Sequence, residues 1–227
     1  MTSIKNRAKE LSNIPLFAGI SLENLNNLLY CTRSFEEQYR KDDVIFLEAE
    51  EISYLGIILS GSVLMMKDDI YGNQTMLSYM TTGELFGETF AVRKERECRV
   101  TFIAGSPTRV LFLAVNNLIH TCPNGCAFHN VLTTNFFNLL GRKNEMLLEK
   151  IVIQSKTTIR EKILAYLSLL AEQQDSRYVT LPITKTAMAG FLSVNRSAMM
   201  RELSNMKKEG IIDYQKDTFR ILVASAT

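Results

Sequence analysis

The stretch from Ile183 to Ile212, ITKTAMAGFLSVNRSAMMRELSNMKKEGII, constrains the fold of this chain more than any other. It contains two short helical patterns, separated by the turn Ser193-Val194. Thr184 and Asn195 precede the two patterns, and such side chains accept hydrogen bonds from the free N–H groups of a first helical turn. The sequence therefore predicts two helices joined by a tight turn.

The second predicted helix has two unlike faces. Met199, Leu203 and Met206 recur at i, i+4 and i+7, which is the spacing of one buried face. The other face carries Arg196, Ser197, Met200 and Arg201. In a helix-turn-helix, the N-terminal residues of the second helix meet base edges in the major groove of DNA. An ordinary helical hairpin with solvated arginines is the alternative interpretation.

The residues that follow favour DNA binding. Gly210 stands where a left-handed cap ends a helix, and residues 211–214 and 219–223 read as two strands with a polar turn between them. A hairpin directly after the second helix is typical of a winged helix, and Lys216 at its tip is placed to reach a phosphate. Residues 154–227 contain eleven Lys/Arg and seven Asp/Glu, a net charge of +4, whereas residues 1–153 carry −2. This basic excess favours a polyanionic partner for the C-terminal part.

The region from about Ser34 to Ala114 has a different sequence pattern. Short apolar runs alternate with turn signals, and Gly61, Gly72 and Gly83 are spaced eleven residues apart. This regular spacing predicts an all-β unit, which we interpret as a double-stranded β-roll. The residues before it predict helices, one of them capped by Ser21.

Residues 127–153 predict one long helix. One apolar stripe has the steps of a coiled-coil seam and consists of Phe137, Leu140, Asn144, Leu147 and Ile151. A second stripe consists of Leu132, Phe136, Leu139, Met146 and Ile153. A helix that is apolar on two sides must be covered on two sides, so we expect one stripe to dock on the β-roll and the seam to form a homodimer. A core helix in a monomer is the alternative, and a hinge is expected at residues 154–156.

In order and length, the predicted parts resemble the cyclic-AMP receptor/fumarate-nitrate regulator (CRP/FNR) family. The marks of the resemblance are SGSV at Ser60–Val63, GELFGE at Gly83–Glu88, the strand that ends at Ala104, and VNRSAMMREL at Val194–Leu203. The fold that it implies is α+β, with a cyclic-nucleotide-binding-like β-roll at 1–126, a dimerisation helix at 127–153 and a winged helix-turn-helix at 154–227. The function that it implies is cytoplasmic, dimeric transcription regulation at a palindromic DNA site, with RNA polymerase as a further partner.

The resemblance also assigns roles to residues of the DNA-binding part. Arg196 and Arg201 match positions that read bases in the family, and arginine donates two hydrogen bonds to guanine O6 and N7. Ser197 stands where the cyclic-AMP-responsive members carry an acidic residue, so we expect a different half-site. Thr184, Thr186 and Asn195 would bind phosphates, which position a protein without specifying sequence.

The effector pocket matches the family less well. Gly87 and Glu88 match the Gly-Glu of the phosphate cassette, but the Arg-Ser or Arg-Thr pair of the nucleotide-binding members falls on Cys98 and Arg99. A shift of one residue turns a strand side chain to the other face, although a bulge could restore the register. The long helix offers Lys143 and Asn144 in place of the Thr-Ser pair that reads adenine. We therefore expect a small effector other than cyclic AMP, which binds at the boundary between the β-roll and the long helix and controls the dimer geometry. Arg93, Lys94, Arg96 and Arg99 are consistent with an anionic effector or with a solvated basic loop.

Residues 120–129, HTCPNGCAFH, suggest an alternative input. His120, Cys122, Cys126 and His129 are residue types that bind zinc or iron, so a metal- or redox-responsive regulator is the alternative function. Cysteines that are incidental at the start of a helix are the default interpretation. No cysteine precedes Cys31, and the haem-binding residues of the carbon-monoxide sensors are not evident. We therefore expect neither an N-terminal iron–sulfur cluster nor haem.

Composition limits the other functional classes. No stretch reaches 18 apolar residues and the N-terminus lacks the apolar segment of a signal peptide, so we expect a cytoplasmic protein with no membrane partner. A metal-dependent enzyme on a β-roll would need several histidines on its strands, whereas the only two histidines follow the β region. We expect no enzymatic activity. A ligand-binding module with a vestigial DNA-binding half would be expected to lack Arg196 and Arg201.

Overall fold

A computed structural model of the protein describes residues 10–72, 74–119 and 126–222. The chain forms two compact units, Met1–Leu140 and Gly141–Thr227. The division between the units falls inside the long helix. The three-part division at residues 126 and 153 stays a prediction.

In the part of the chain that the structure describes, the first unit combines β-strands with short helices. Its strands are β1 Phe35–Tyr39, β2 Val44–Phe46, β3 Tyr54–Ser60, β4 Ser62–Asp68, β5 Gln74–Thr81, β6 Leu85–Phe86, β7 Thr101–Ala104 and β8 Thr108–Ala114. Its helices are a 3₁₀ turn at Pro15–Phe17, α1 at Leu22–Cys31, α2 at Glu88–Ala91 and α3 at Val115–Ile119. As predicted, the Ser21 side chain caps α1 by accepting from the Asn24 N–H, at 3.3 Å.

The strands form two antiparallel sheets of four, ordered β1-β8-β3-β6 and β2-β7-β4-β5. This arrangement confirms the predicted β-roll. Phenylalanine rings meet in its interior: Phe46 lies 5.7 Å from Phe86, 6.1 Å from Phe102 and 5.7 Å from Phe112, between ring centroids. Such aromatic pairs add to the hydrophobic stabilisation of a core, and here they occupy much of the roll.

Two strands of the roll, β1 and β6, were not predicted. Both are edge strands. The sequence of β1, FEEQY, is charged, and its place in the sheet depends on pairing with β8 and on Phe35, whose ring stacks on Phe112 at 5.0 Å. The two-residue β6 pairs only with β3 among the described strands. Neither strand has the local alternation by which strands are recognised.

Helix α4, at Ala127–Gln154, is the predicted long helix. Leu132 and Phe136 are buried in the core of the first unit, and Ile153 is buried in the core of the second. Met146 is 63% exposed, so its predicted place in the buried second stripe is wrong. It lies in the stretch of the helix between the residues that enter the two cores.

The second unit is a winged helix. It contains α5 at Ile159–Gln173, β9 at Tyr178–Thr180, α6 at Lys185–Phe191, α7 at Arg196–Lys208, β10 at Ile212–Gln215 and β11 at Thr218–Ile221. The strands pair in the order β10-β11-β9, which adds a third, unpredicted strand to the wing. Thr158 caps α5 through a capping box with Glu161, in which each side chain bonds a free backbone N–H of the other residue.

The C-terminal end of α4 is fastened to this unit. The Gln154 amide donates hydrogen bonds to the Phe191 carbonyl at 2.8 Å and to the Ser193 hydroxyl at 2.9 Å. The Lys150 ammonium lies 5.7 Å from the centre of the Phe191 ring. The predicted hinge residue Gln154 is therefore bound directly to the turn of the helix-turn-helix.

Candidate DNA interface and effector site

The two helices of the helix-turn-helix are capped as the sequence predicts. The Thr184 hydroxyl accepts from the Ala187 N–H at 3.2 Å, and the Asn195 carbonyl oxygen accepts from the N–H groups of Ser197 and Ala198 at 2.9 and 3.2 Å. Gly210 (φ 71°) ends α7, with the Ile211 N–H bonding the Met206 carbonyl. These caps fix where the N-terminal residues of α7 begin.

Helix α7 buries one face and exposes the other. Met199, Leu203 and Met206 are fully buried, whereas Ser197 and Arg201 are exposed on the opposite side. Arg196 is exposed in the first turn, and Met200 is half-buried at the edge of this face. The four predicted base-reading residues thus lie at the N-terminal end of one helix, two of them bearing guanidinium groups.

The guanidinium groups of Arg196 and Arg201 have no ion-pair partner in the described part of the chain. Arg160 of α5 differs, because it bonds Glu202 at 2.6 Å and both carboxylate oxygens of Glu209 at 2.7 and 2.9 Å. The Arg160 guanidinium lowers the pKa of the Glu209 carboxyl. The acidic side chains of α7 and its C-cap are therefore neutralised from within the unit, while its outward arginines keep their charge for a ligand.

The predicted phosphate-binding residues are also exposed. Thr184, Thr186 and Asn195 lie at the N-termini of α6 and α7, where backbone N–H groups favour anions. Lys216 occupies the two-residue turn between β10 and β11 with φ of 51°. The predicted four-residue turn is shorter than expected, because Gln215 and Thr218 pair as strand residues.

Three residues of this surface were missed by the sequence analysis. Ser204 and Lys208 follow Arg201 along the outward side of α7, three and seven residues further on. The helical spacing could have identified them. Lys185 begins α6 and contacts the wing, which only the tertiary structure reveals.

The predicted effector residues Gly87 and Glu88 form a compact turn in the first unit. Gly87 is the N-cap of α2 with φ of 78°, and a Cβ there would lie 2.9 Å from the Phe46 ring. Glycine is therefore required at this position by both backbone conformation and space. The Glu88 side chain is 3% exposed.

Cys98 and Arg99 point in opposite directions. Cys98 is fully buried, and its thiol donates to the Val100 carbonyl at 3.0 Å. Burial raises the pKa of the Cys98 thiol, so the group is neutral. Arg99 is exposed, and its carbonyl accepts from the Lys67 ammonium at 3.0 Å. Arg99 is not turned inward, because it is exposed while Cys98 and Val100 on either side of it are both buried.

Part of the predicted basic cluster is used within the unit. Arg96 donates to the Ser53 hydroxyl at 3.2 Å and to the Asn116 carbonyl oxygen at 2.5 Å. Arg93 forms a long ion pair of 3.8 Å with Glu95. Lys94 and Arg99 are exposed. The remaining predicted effector residues, Lys143 and Asn144, belong to the second unit.

Only half of the predicted metal cluster lies in the described part of the chain. His120 and Cys122 are outside it. His129 is 4% exposed, burial lowers its pKa, and its Nδ1 has no hydrogen-bond partner among the described residues. Its backbone N–H bonds the Cys126 carbonyl at 3.0 Å. Among residues 10–72, 74–119 and 126–222, no group of three His, Cys, Asp or Glu side chains is arranged to hold a metal ion.

The predicted seam of α4 is largely exposed. Phe137, Leu147 and Ile151 are 60%, 58% and 63% exposed, and Asn144 is exposed between them. Leu140 is partly buried against the core of the first unit.

Within the described residues, no helix has the length and apolar composition needed to cross a membrane.

Sequence comparison identifies both parts of the chain. Residues 36–122 match the cyclic nucleotide-binding domain family, and residues 161–226 match the Crp-like helix-turn-helix domain family. No curated protein sequence matches the chain.

Solved structures with the same fold match most of the chain. CprK in complex with OCPA is 16% identical with a TM-score of 0.66, and the match covers 88% of this chain and 92% of that one. A CooA mutant from Carboxydothermus hydrogenoformans is 18% identical with a TM-score of 0.61, and the match covers 86% of both chains. The c-di-GMP responsive regulator CLP of Xanthomonas campestris is 14% identical with a TM-score of 0.56, with coverage of 89% and 100%. At these identities the structures show the shared fold.

Proposed function

Because this chain belongs to the CRP/FNR family of transcription regulators, we propose that it binds a palindromic DNA site as a homodimer and reads each half-site through α7. The two domain families make it a DNA-binding regulator under effector control. In such dimers, the recognition helices enter successive major grooves roughly 34 Å apart.

The exposed face of α7 is the observation that supports base recognition by this helix. Arg196 and Arg201 are solvent-facing and free of intramolecular ion pairs in the described residues, while the opposite face is buried and the nearby acidic side chains are bound by Arg160. Arginine forms the commonest specific contact with guanine in the major groove. We propose base contacts by Arg196, Ser197, Met200 and Arg201, and phosphate contacts by Thr184, Thr186, Asn195 and Lys216.

Selection of duplexes from a random library tests this proposal. The wild type should enrich a palindrome, and Arg196→Ala should weaken its binding by about 1–3 kcal/mol while relaxing the preference at one base per half-site. Arg177→Ala is the matched control, because Arg177 is an exposed arginine of the same unit outside the helix-turn-helix. Identical sequence preferences for the wild type and Arg196→Ala would refute the assignment.

The exposed seam of α4 supports the proposed homodimer. Phe137, Leu147 and Ile151 place large apolar side chains in water on one side of the helix. Burial of such surface is worth roughly 25 cal/mol per Å², so a second copy of the helix would stabilise both. An Asn on the seam, here Asn144, fixes the register of such a pair at some cost in stability.

We further propose that the effector contains no phosphate group, because a bound phosphate would need an arginine to pair with it. The position of the family's phosphate-binding arginine is occupied by the buried, neutral Cys98, and Arg99 faces outward. Burying a phosphate without a cationic partner is costly. The same fold serves a different ligand elsewhere, because CprK is known in complex with OCPA.

The remaining expectations follow from family membership. We expect RNA polymerase to be the protein partner, the cytoplasm to be the location, and no catalysis to take place. No specific observation favours the metal- or redox-responsive alternative over the small effector.

A further inference from the structure

Lys185, the first residue of α6, is directed at the wing. Its ammonium donates to the Lys216 carbonyl and lies 3.6 Å from the Asp217 carboxylate. These two residues form the turn of the wing. The side chain of Lys185 is only 20% exposed, so its charge is used between two elements of the protein.

Two aromatic rings of the wing lie beside the Lys185 side chain. The Lys185 ammonium lies 5.4 Å from the centre of the Tyr214 ring and 5.8 Å from that of Phe219, and the two rings stack at 5.0 Å. Cation–π contacts of partly buried lysines are favourable at such distances. The rings belong to β10 and β11, so Lys185 contacts both strands of the wing as well as its turn.

The turn needs such support. Lys216 has φ of 51°, a left-handed conformation that is unfavourable for a residue with a Cβ atom. Strained backbone persists where the surrounding structure determines it. Within the described residues, one backbone hydrogen bond outside the strand ladder, from the Leu181 N–H to the Asp217 carbonyl at 2.9 Å, holds the turn from the other side.

We propose that Lys185 is a positioning residue for DNA binding: it fixes the wing turn so that the Lys216 side chain meets a phosphate. This inference rests on the proposed phosphate contact of Lys216. Lys185 lies at a helix N-terminus, where a direct phosphate contact would otherwise be expected. Its ammonium is instead engaged with Lys216, Asp217 and the two rings.

A double-mutant cycle separates positioning from direct contact. The variants are Lys185→Met, which keeps the aliphatic stem, Lys216→Asn, which keeps a residue tolerant of the left-handed conformation, and the two combined. Lys207→Met is the matched control. Lys207 also lies over the Tyr214 ring, at 5.0 Å, but bonds the Tyr214 carbonyl and Asp213 rather than the wing turn.

The readout is the salt dependence of affinity for the duplex that the wild type selects. Loss of one phosphate contact per protomer removes two contacts from the dimer and reduces the steepness of log K against log salt by about 1.8, so the affinity ratio between about 50 and 200 mM salt falls about 12-fold. We expect this loss in Lys216→Asn, a similar loss in Lys185→Met, and no further loss when both are changed. A combined fall of about 150-fold, which independent contacts of the two lysines would give in the dimer, would overturn the positioning role.

A second measurement needs no DNA. In the free protein, hydrogen exchange at the Leu181 N–H reports on the wing turn, because this group bonds the Asp217 carbonyl. Exchange there should accelerate in Lys185→Met and stay as in the wild type in Lys207→Met. Unchanged exchange in Lys185→Met would refute the proposal even if DNA binding fell, whereas an unchanged salt slope in Lys216→Asn would refute the phosphate contact on which it rests.

Discussion

Ser193 illustrates how a single backbone conformation shapes the helix-turn-helix. It follows the end of α6 with φ of 52°, and its N–H bonds the Gly190 carbonyl while the Val194 N–H bonds the Ala189 carbonyl. This pair of bonds is a Schellman motif, in which glycine is the usual residue at the left-handed position. The chain accepts serine there, and the serine hydroxyl accepts a hydrogen bond from Gln154.

Replacement of Ser193 by glycine should therefore stabilise the second unit. Relief of the left-handed strain is worth about 1–2 kcal/mol, and the greater freedom of glycine in the unfolded chain offsets about 0.4–1 kcal/mol. We expect a net gain on the order of 0.5–1 kcal/mol, measured as a higher urea midpoint at unchanged slope. Gly210→Ala, at φ of 71°, should have the opposite sign. A loss of stability in Ser193→Gly would mean that the Gln154 hydrogen bond outweighs the strain.

At the scale of the secondary-structure elements, two exposed sides of the long helix α4 differ in their proposed role. Ile151 and Met146 are equally exposed, at 63%, but lie on different sides of the helix. Ile151 belongs to the proposed dimer seam, whereas Met146 does not. If the seam pairs two protomers, Ile151→Glu should bury a carboxylate and yield monomers, because an unpaired charge is costly in an apolar interface.

Met146→Glu tests whether the effect is specific to the seam. It adds the same charge at the same exposure and should leave the dimer intact. Sedimentation equilibrium of both variants decides the matter: dissociation of both, or of neither, would contradict a dimer formed through the predicted stripe.

The sequence predicts best those elements whose stability is local. The caps by Ser21, Thr184 and Asn195 form as expected, because each depends on residues within one turn. The edge strands β1, β6 and β9 were missed, because their places depend on partners distant in sequence. Met146 was misplaced for a similar reason: helical periodicity shows which side is apolar but not where neighbouring units end.

The residues of the candidate site fall into the same two groups: those that local sequence predicts and those whose role depends on the tertiary structure. The exposed arginines of α7 follow from the helical pattern alone, whereas the role of Lys185 depends on its distance from a turn 31 residues further along the chain. Strand alternation predicts opposite orientations for Cys98 and Arg99. The structure shows that Cys98 is buried and Arg99 is exposed, although both residues precede β7.

At the scale of the whole molecule, regulation requires an effector that binds one conformation better than another. Its effect on DNA affinity must be matched by an equal effect of DNA on effector affinity. The end of α4, bound through Gln154 to the turn of the helix-turn-helix, is an element that both ligands could bias.

Cyclic nucleotides should fail as that effector. A ligand that binds only the folded state at one hundred times its Kd stabilises it by about 2.7 kcal/mol, which appears as a clear rise in melting temperature. Cyclic AMP and cyclic GMP should give no such rise, because the buried position that should hold a phosphate-binding arginine contains the neutral Cys98 thiol. Native mass spectrometry of the purified protein should instead retain a molecule without a phosphate. A cyclic nucleotide that raises both the melting temperature and the affinity for DNA would show that Arg99 reaches the ligand after all.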